Sequence, residues 1–150
     1  MLNIFSKSLI LMFIAGISGF FISMTFQYTG PKILKHQNLA MEQAKREIGG
    51  YSKEVTVKGY GGDIKMLVGI DKQGKVKGVK ILSMNETPGL GSLATSETPM
   101  KNKPFTFLGQ FIGKGKKNKL RAKEDIVAIT GATITSQAIA DGVKLALQDQ

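Results

Sequence analysis

Cysteine and tryptophan are both absent from the 150 residues, and histidine occurs once, as His36. With no thiol, a cysteine-held iron–sulfur cluster, a zinc finger, a thiol nucleophile and a lipidated cysteine anchor are all excluded. A lone histidine gives a multi-histidine metal site or a histidine–serine triad little to build on. Acidic residues are also scarce, 11 against 21 Lys and Arg, which leaves a net charge of +10. Such a balance raises nucleic acid as a partner, but the few aromatics are not interleaved with the basic residues and no nucleic-acid motif is present. A solvated basic surface, anionic lipid or an acidic partner fits better. Two glycine patterns are missing as well. "GQFIGKG" lacks the spacing and the Ser/Thr of a phosphate loop, and no dinucleotide fingerprint supplies a nicotinamide site for a stand-alone flavin reductase.

What the chain does have is one long apolar run. Leu9 to Phe26 reads "LILMFIAGISGFFISMTF", and no charged residue falls between Ser8 and Pro31. Roughly 20 such residues cross a hydrocarbon layer of ~30 Å as a helix. A cleaved signal peptide would have a shorter apolar region and a small-residue cleavage site. The expectation is an uncleaved anchor, with residues 1–7 a cytoplasmic stub and 8–28 the transmembrane helix. Ala15-x-x-x-Gly19 is a small-residue spacing that lets another helix approach. Lys7 flanks one end and Lys32 and Lys35 the other, a count that points the soluble part weakly toward the cytoplasm.

Residues 29–50 read as an amphipathic connecting helix, with Leu34, Met41, Ala44 and Ile48 near one face and Gly49-Gly50 as the stop. Residues 51–150 form the expected domain. "KEVTVKGY", "GGDIKMLVGID" and "GKVKGVKILS" read as strands of an antiparallel meander with one buried face. Asp71-Lys72-Gln73-Gly74 has turn chemistry. "FTFLGQFIGK" reads as a short helix with Phe105, Leu108 and Ile112 inward, and residues 113–123 as an exposed basic connection. "IVAI" reads as a last strand and Ile134 to Leu147 as a closing helix burying Ile139, Val143, Ala146 and Leu147. Strands followed by helices predict an α+β fold.

Two loops carry the candidate chemistry. In "TGATITS", Gly131 permits a tight turn, Thr133 stands where a helix N-cap belongs, and the N–H groups of Ile134 to Ser136 face the turn. That is a seat for a phosphate, to which the Thr135 and Ser136 hydroxyls add donors. An ordinary capped helix is the alternative. In "NETPGLGS", Thr87-Pro88-Gly89-Leu90 fits a type II turn and Gly91 allows a close approach, flat enough for a planar ring. A purely structural turn is the alternative there.

The pair of loops, "ETPGLGS" (Glu86–Ser92) then "TGATITS" (Thr130–Ser136), behind one anchor, resembles the signatures of FMN-binding membrane domains. These are the G subunit of the Rnf electron-transport complex and the related C subunit of the sodium-translocating NADH:quinone reductase. "GYGGDI" and "VGIDKQGKVKGVKIL" resemble strands of the same domains, so the likeness covers most of residues 30–150, and the short chain is nearer the Rnf protein. It implies FMN joined through its phosphate to the Thr133 hydroxyl by a separate flavin transferase. It also implies an electron-carrying subunit without a soluble substrate of its own, among other membrane subunits, with its domain on the outer side. No catalytic or metal-ligating residue is assigned. Cofactor contacts are expected from Glu86, Thr87, Gly89, Leu90, Gly91, Thr130, Gly131, Ala132, Ile134, Thr135 and Ser136, with Leu90 on the flavin face. The family's motif carries aspartate three residues before Thr130, where this chain has Val127; Asp125 lies two positions upstream. The competing reading is a scaffold subunit whose two loops are only turns.

Overall fold

The structure is a computed structural model that describes residues 2–148. The side chains of residues 2–4, 34 and 37, with them the expected face position of Leu34, lie outside the described residues. The elements run α1 (Leu2–Ile48), β1 (Tyr51–Lys58), β2 (Asp63–Ile70), β3 (Val76–Ser83) and α2 (Thr133–Gln148), with single 3-10 turns at Gly91–Thr95 and Gly109–Phe111. The chain divides into two compact units, Met1–Leu39 and Ala40–Gln150.

The first unit is the helical apolar run. Its best stretch has a mean hydropathy of 2.2 and none of it is buried. By length and composition this helix can cross a membrane. α1 continues through Pro31 and stops where expected, at Gly49 and Gly50, whose φ values of 59° and 96° are ones that glycine adopts most readily.

The second unit is an α+β domain. Its sheet is an antiparallel meander in the order β1-β2-β3. The turn between β2 and β3 is closed by Asp71, whose Oδ1 accepts the N–H groups of Gln73 at 2.8 Å and Lys75 at 2.9 Å. α2 packs on β1 and β2. It buries Ile139, Val143, Ala146 and Leu147 with Ile64, Met66, Val68 and Ile70 in one core, as the 3.6-residue and two-residue periods require.

Three expectations are corrected. The sheet does not have only one covered face, because Leu67 and Gly69 of β2 are buried too. Gly69 and Gly78 pair across β2 and β3, and Ile48 sits over that notch, where a β-carbon on Gly69 would collide with its Cγ2. "IVAI" is no strand: Ile126 makes one isolated bridge to Ala122. The peptide groups of Val127 are satisfied instead by Gln110, whose Oε1 accepts the N–H at 2.8 Å and whose Nε2 donates to the carbonyl at 3.2 Å. A side chain imitating a neighbouring strand removes the need for one. In "FTFLGQFIGK" Leu108 packs on the core as expected, but the fully buried residues are Phe107 and Phe111, stacked edge to face at 5.7 Å. Ile112 is 60% exposed, because only one helical turn forms and the chain leaves it extended.

Replacing Gly69 by alanine overpacks the notch, which typically costs about 1–3 kcal/mol. Denaturant titration of Gly69→Ala, alone and with Ile48→Ala, is expected to show the double variant recovering part of that loss. Strictly additive losses contradict the contact.

Candidate functional site

The first turn of α2 sets the geometry. Its N-cap is Ala132, one residue before the expected Thr133, since the Ala132 carbonyl accepts the Ser136 N–H at 2.9 Å. The reason lies beneath the turn. Ser136 is fully buried; its hydroxyl donates to the Ala132 carbonyl at 2.8 Å and accepts the Ile129 N–H at 3.0 Å. Ser136 is therefore corrected from a candidate ligand to an internal tie. Its N–H is also engaged, so the open donors are those of Thr133, Ile134 and Thr135, for which no acceptor is present among the described residues. Because alanine has no side-chain oxygen, the cap leaves those donors open. The Thr133 side chain is exposed beside them.

These groups stand at the edge of a cleft of about 520 Å³ lined by Tyr60, Glu86, Thr87, Leu90, Gly91, Gly131, Ala132, Thr133, Ile134 and Thr135. A volume of that order suits a cofactor. The two glycine-rich loops, separated by 37 residues in the chain, thus form one surface. Three expected contacts fall outside it. Gly89, with φ 75°, serves the turn closed by the Leu90 N–H to Thr87 carbonyl bond of 3.2 Å. Thr130 lines the neighbouring clefts instead, and Ser136 lies below. Tyr60, 70% exposed on the β1–β2 turn, was not foreseen; an aromatic inside "GYGGDI" was the available signal. With Leu90 and Ile134, also exposed, it gives the cleft an apolar rim.

Glu86 enters the cleft already engaged. Its Oε1 accepts the Gly61 N–H at 3.1 Å and its Oε2 accepts the Thr135 hydroxyl at 2.8 Å. Gly91 is buried against both partners, where a β-carbon would lie 2.7 Å from Glu86 Oε2 and 2.9 Å from Thr135 Oγ1.

On the other side of Thr133 is a second cleft, of about 530 Å³, lined by Lys123, Glu124, residues 126–131 and Thr133. Asp125 does not stand in for an aspartate at position 127. Its carboxylate is turned into the basic loop, accepting the N–H groups of Arg121 at 2.8 Å and Leu120 at 3.1 Å, with the Lys114 ammonium at 3.8 Å. Among the described residues no group of His, Cys, Asp and Glu could hold a metal ion.

The donors fit a phosphate and the rim fits a ring, and comparison with known proteins agrees. The model of the FMN-binding domain matches residues 59–148. That span holds both loops, β2, β3 and α2, and the chain belongs to this family. Its relatives include the G subunit of the Na(+)-translocating ferredoxin:NAD(+) oxidoreductase complex of Acetobacterium woodii, 36% identical over 68% of this chain and 49% of that one. The G subunit of the proton-translocating ferredoxin:NAD(+) oxidoreductase complex of Clostridium ljungdahlii is 44% identical over 61% of this chain and 48% of that one. The G subunit of the ion-translocating oxidoreductase complex of Haemophilus influenzae is 34% identical over 72% and 53%. The chain thus spans about half the length of the curated relatives it matches.

Asp125 gives the loop beside the second cleft a pH signature. Partial burial pushes its carboxyl upward, but the Arg121 and Leu120 amides and the Lys114 charge outweigh this and hold it below the ordinary value of 3.8. A carboxyl depressed on folding stabilises the folded state above its unfolded pKa, and that contribution fades as pH falls through the folded value. The melting-temperature gap between wild type and Asp125→Asn should therefore be constant above about pH 5 and shrink below about pH 4. A gap independent of pH contradicts the assignment.

Proposed function

We propose that this chain is the membrane-anchored flavoprotein subunit of an Rnf-type ion-translocating redox complex, carrying FMN bonded through its phosphate to Thr133. One observation carries the reading: in a chain of the FMN-binding family, an exposed threonine stands beside three open backbone donors at the edge of a cofactor-sized cleft. A phosphodiester keeps one negative charge. At a helix amino end such a charge gains about 0.3–1 kcal/mol, and up to ~2 when partly buried. The attachment and the electrostatics therefore favour the same place.

When bound, FMN supplies the redox chemistry. The chain's residues bind and orient it. Gly131 and Ala132 keep the turn free of bulk, and the amides of Thr133, Ile134 and Thr135 hold the phosphate. Leu90, Tyr60 and Ile134 shield the ring from water, and Thr87 hydrogen-bonds the chain between ring and phosphate. Gly89, Thr130 and Ser136 keep the two loops in shape. In this reading residues 8–28 are the anchor, 29–50 the connection and 51–150 the FMN-binding domain. That domain lies on the outer side of the cytoplasmic membrane. There it passes electrons between neighbouring subunits and has no soluble substrate of its own. A flavin transferase matures it, and membrane lipid surrounds its first helix.

Intact-mass measurement on the chain from its native membrane is expected to show an increment of one FMN less one water. Thr133→Val should lose at least nine-tenths of the flavin that stays with the denatured chain. The bare polypeptide mass in the native material supports a scaffold instead, and flavin retained by the denatured variant moves the attachment elsewhere.

A further inference from the structure

Both oxygens of Glu86 are held by protein donors from two different elements, Gly61 on the β1–β2 turn and Thr135 on the first turn of α2. The surrounding sequence makes room for this. Gly59, Gly61 and Gly91 each lie where a β-carbon would press on Glu86 or on the preceding Asn85 backbone. Thr135 is 1% exposed, and the carboxylate is the acceptor its hydroxyl uses. A buried hydroxyl without a partner is destabilising, and a bond to a carboxylate is stronger than one between neutral groups. The same carboxylate lines the cleft. Among the described residues no cationic side chain lines that cleft with it.

We propose that Glu86 is a positioning residue. Its carboxylate braces the amino end of α2 against the β1–β2 turn, which fixes where Thr133 and the open amides point. Its negative charge makes the cleft less hospitable to an added electron. The first half stands on the geometry alone; the second rests on the proposed FMN function. A glutamine holds both contacts without a charge, its oxygen accepting from Gly61 and its amide donating to the Thr135 oxygen in a bond of reversed direction. Alanine keeps neither, and Thr135→Val removes one.

Amide hydrogen exchange of the full-length, flavin-free chain in detergent reads the brace. Glu86→Ala is expected to speed exchange of both Gly61 and Ser136 at least tenfold. Thr135→Val should speed Ser136 but not Gly61, and Glu86→Gln should stay within threefold of wild type at both. Unchanged exchange in Glu86→Ala overturns the brace. Redox titration of the flavin-loaded chain reads the charge: the flavin carried by Glu86→Gln should show a reduced-to-oxidised ratio at a fixed potential at least threefold above wild type. A loaded Glu86→Gln with an unchanged ratio overturns the charge role. A wild-type chain that carries no flavin contradicts the proposed function, and the exchange measurement still decides the brace.

Discussion

The structure depends on a helix end that is tied from below and open above. Ser136 draws the turn down by bonding Ala132 and Ile129, and the alanine cap leaves the first-turn amides without protein acceptors. A serine or aspartate at the cap would have closed one of those donors, at a gain of about 1 kcal/mol to the helix. Without that oxygen the donors stay available to an external acceptor. The α2 core face on β1 and β2, the Glu86 bonds and the close approach permitted by Gly91 hold that end in place.

The arrangement also explains why the two signature loops need each other. The 86–91 turn alone is a rigid bend, and the 130–136 turn alone is a helix start. Packed together through Glu86, Thr135 and Gly91, they become opposite walls of one cleft, with apolar side chains at its mouth and backbone donors at its head. That is the division a phosphorylated ring compound requires. The basic loop beyond it is organised separately. Asp125 gathers its backbone, while Glu124 bonds Lys119 at 3.1 Å and lies 3.4 Å from Arg121.

Local chemistry was readable from the residues. The three strands, the Asp71–Gly74 turn, the Gly49-Gly50 stop, the type II turn at Thr87–Leu90 and the buried face of α2 all follow from neighbours within a few positions. The misreadings share a different cause. Gln110 replaces a strand for Val127 from 17 residues away, and Ile48 fills the second face of the sheet from a helix. Glu86 reaches Thr135 across 49 residues. The inward turn of Ser136 is a tertiary choice between two hydroxyls that look alike in sequence. The resemblance located the two loops; what each hydroxyl, amide and carboxylate does there depends on packing.

The most direct test of the central claim removes the proposed attachment point and asks whether the helix end still discriminates. The Thr133→Val chain, free of flavin, is titrated with FMN and with riboflavin, which share a ring and differ in the phosphate, following flavin fluorescence. Open donors at the end of α2 predict that FMN binds at least about tenfold more tightly, a difference of roughly 1.4 kcal/mol, and that the preference weakens with salt. Equal affinities for the two would contradict the account.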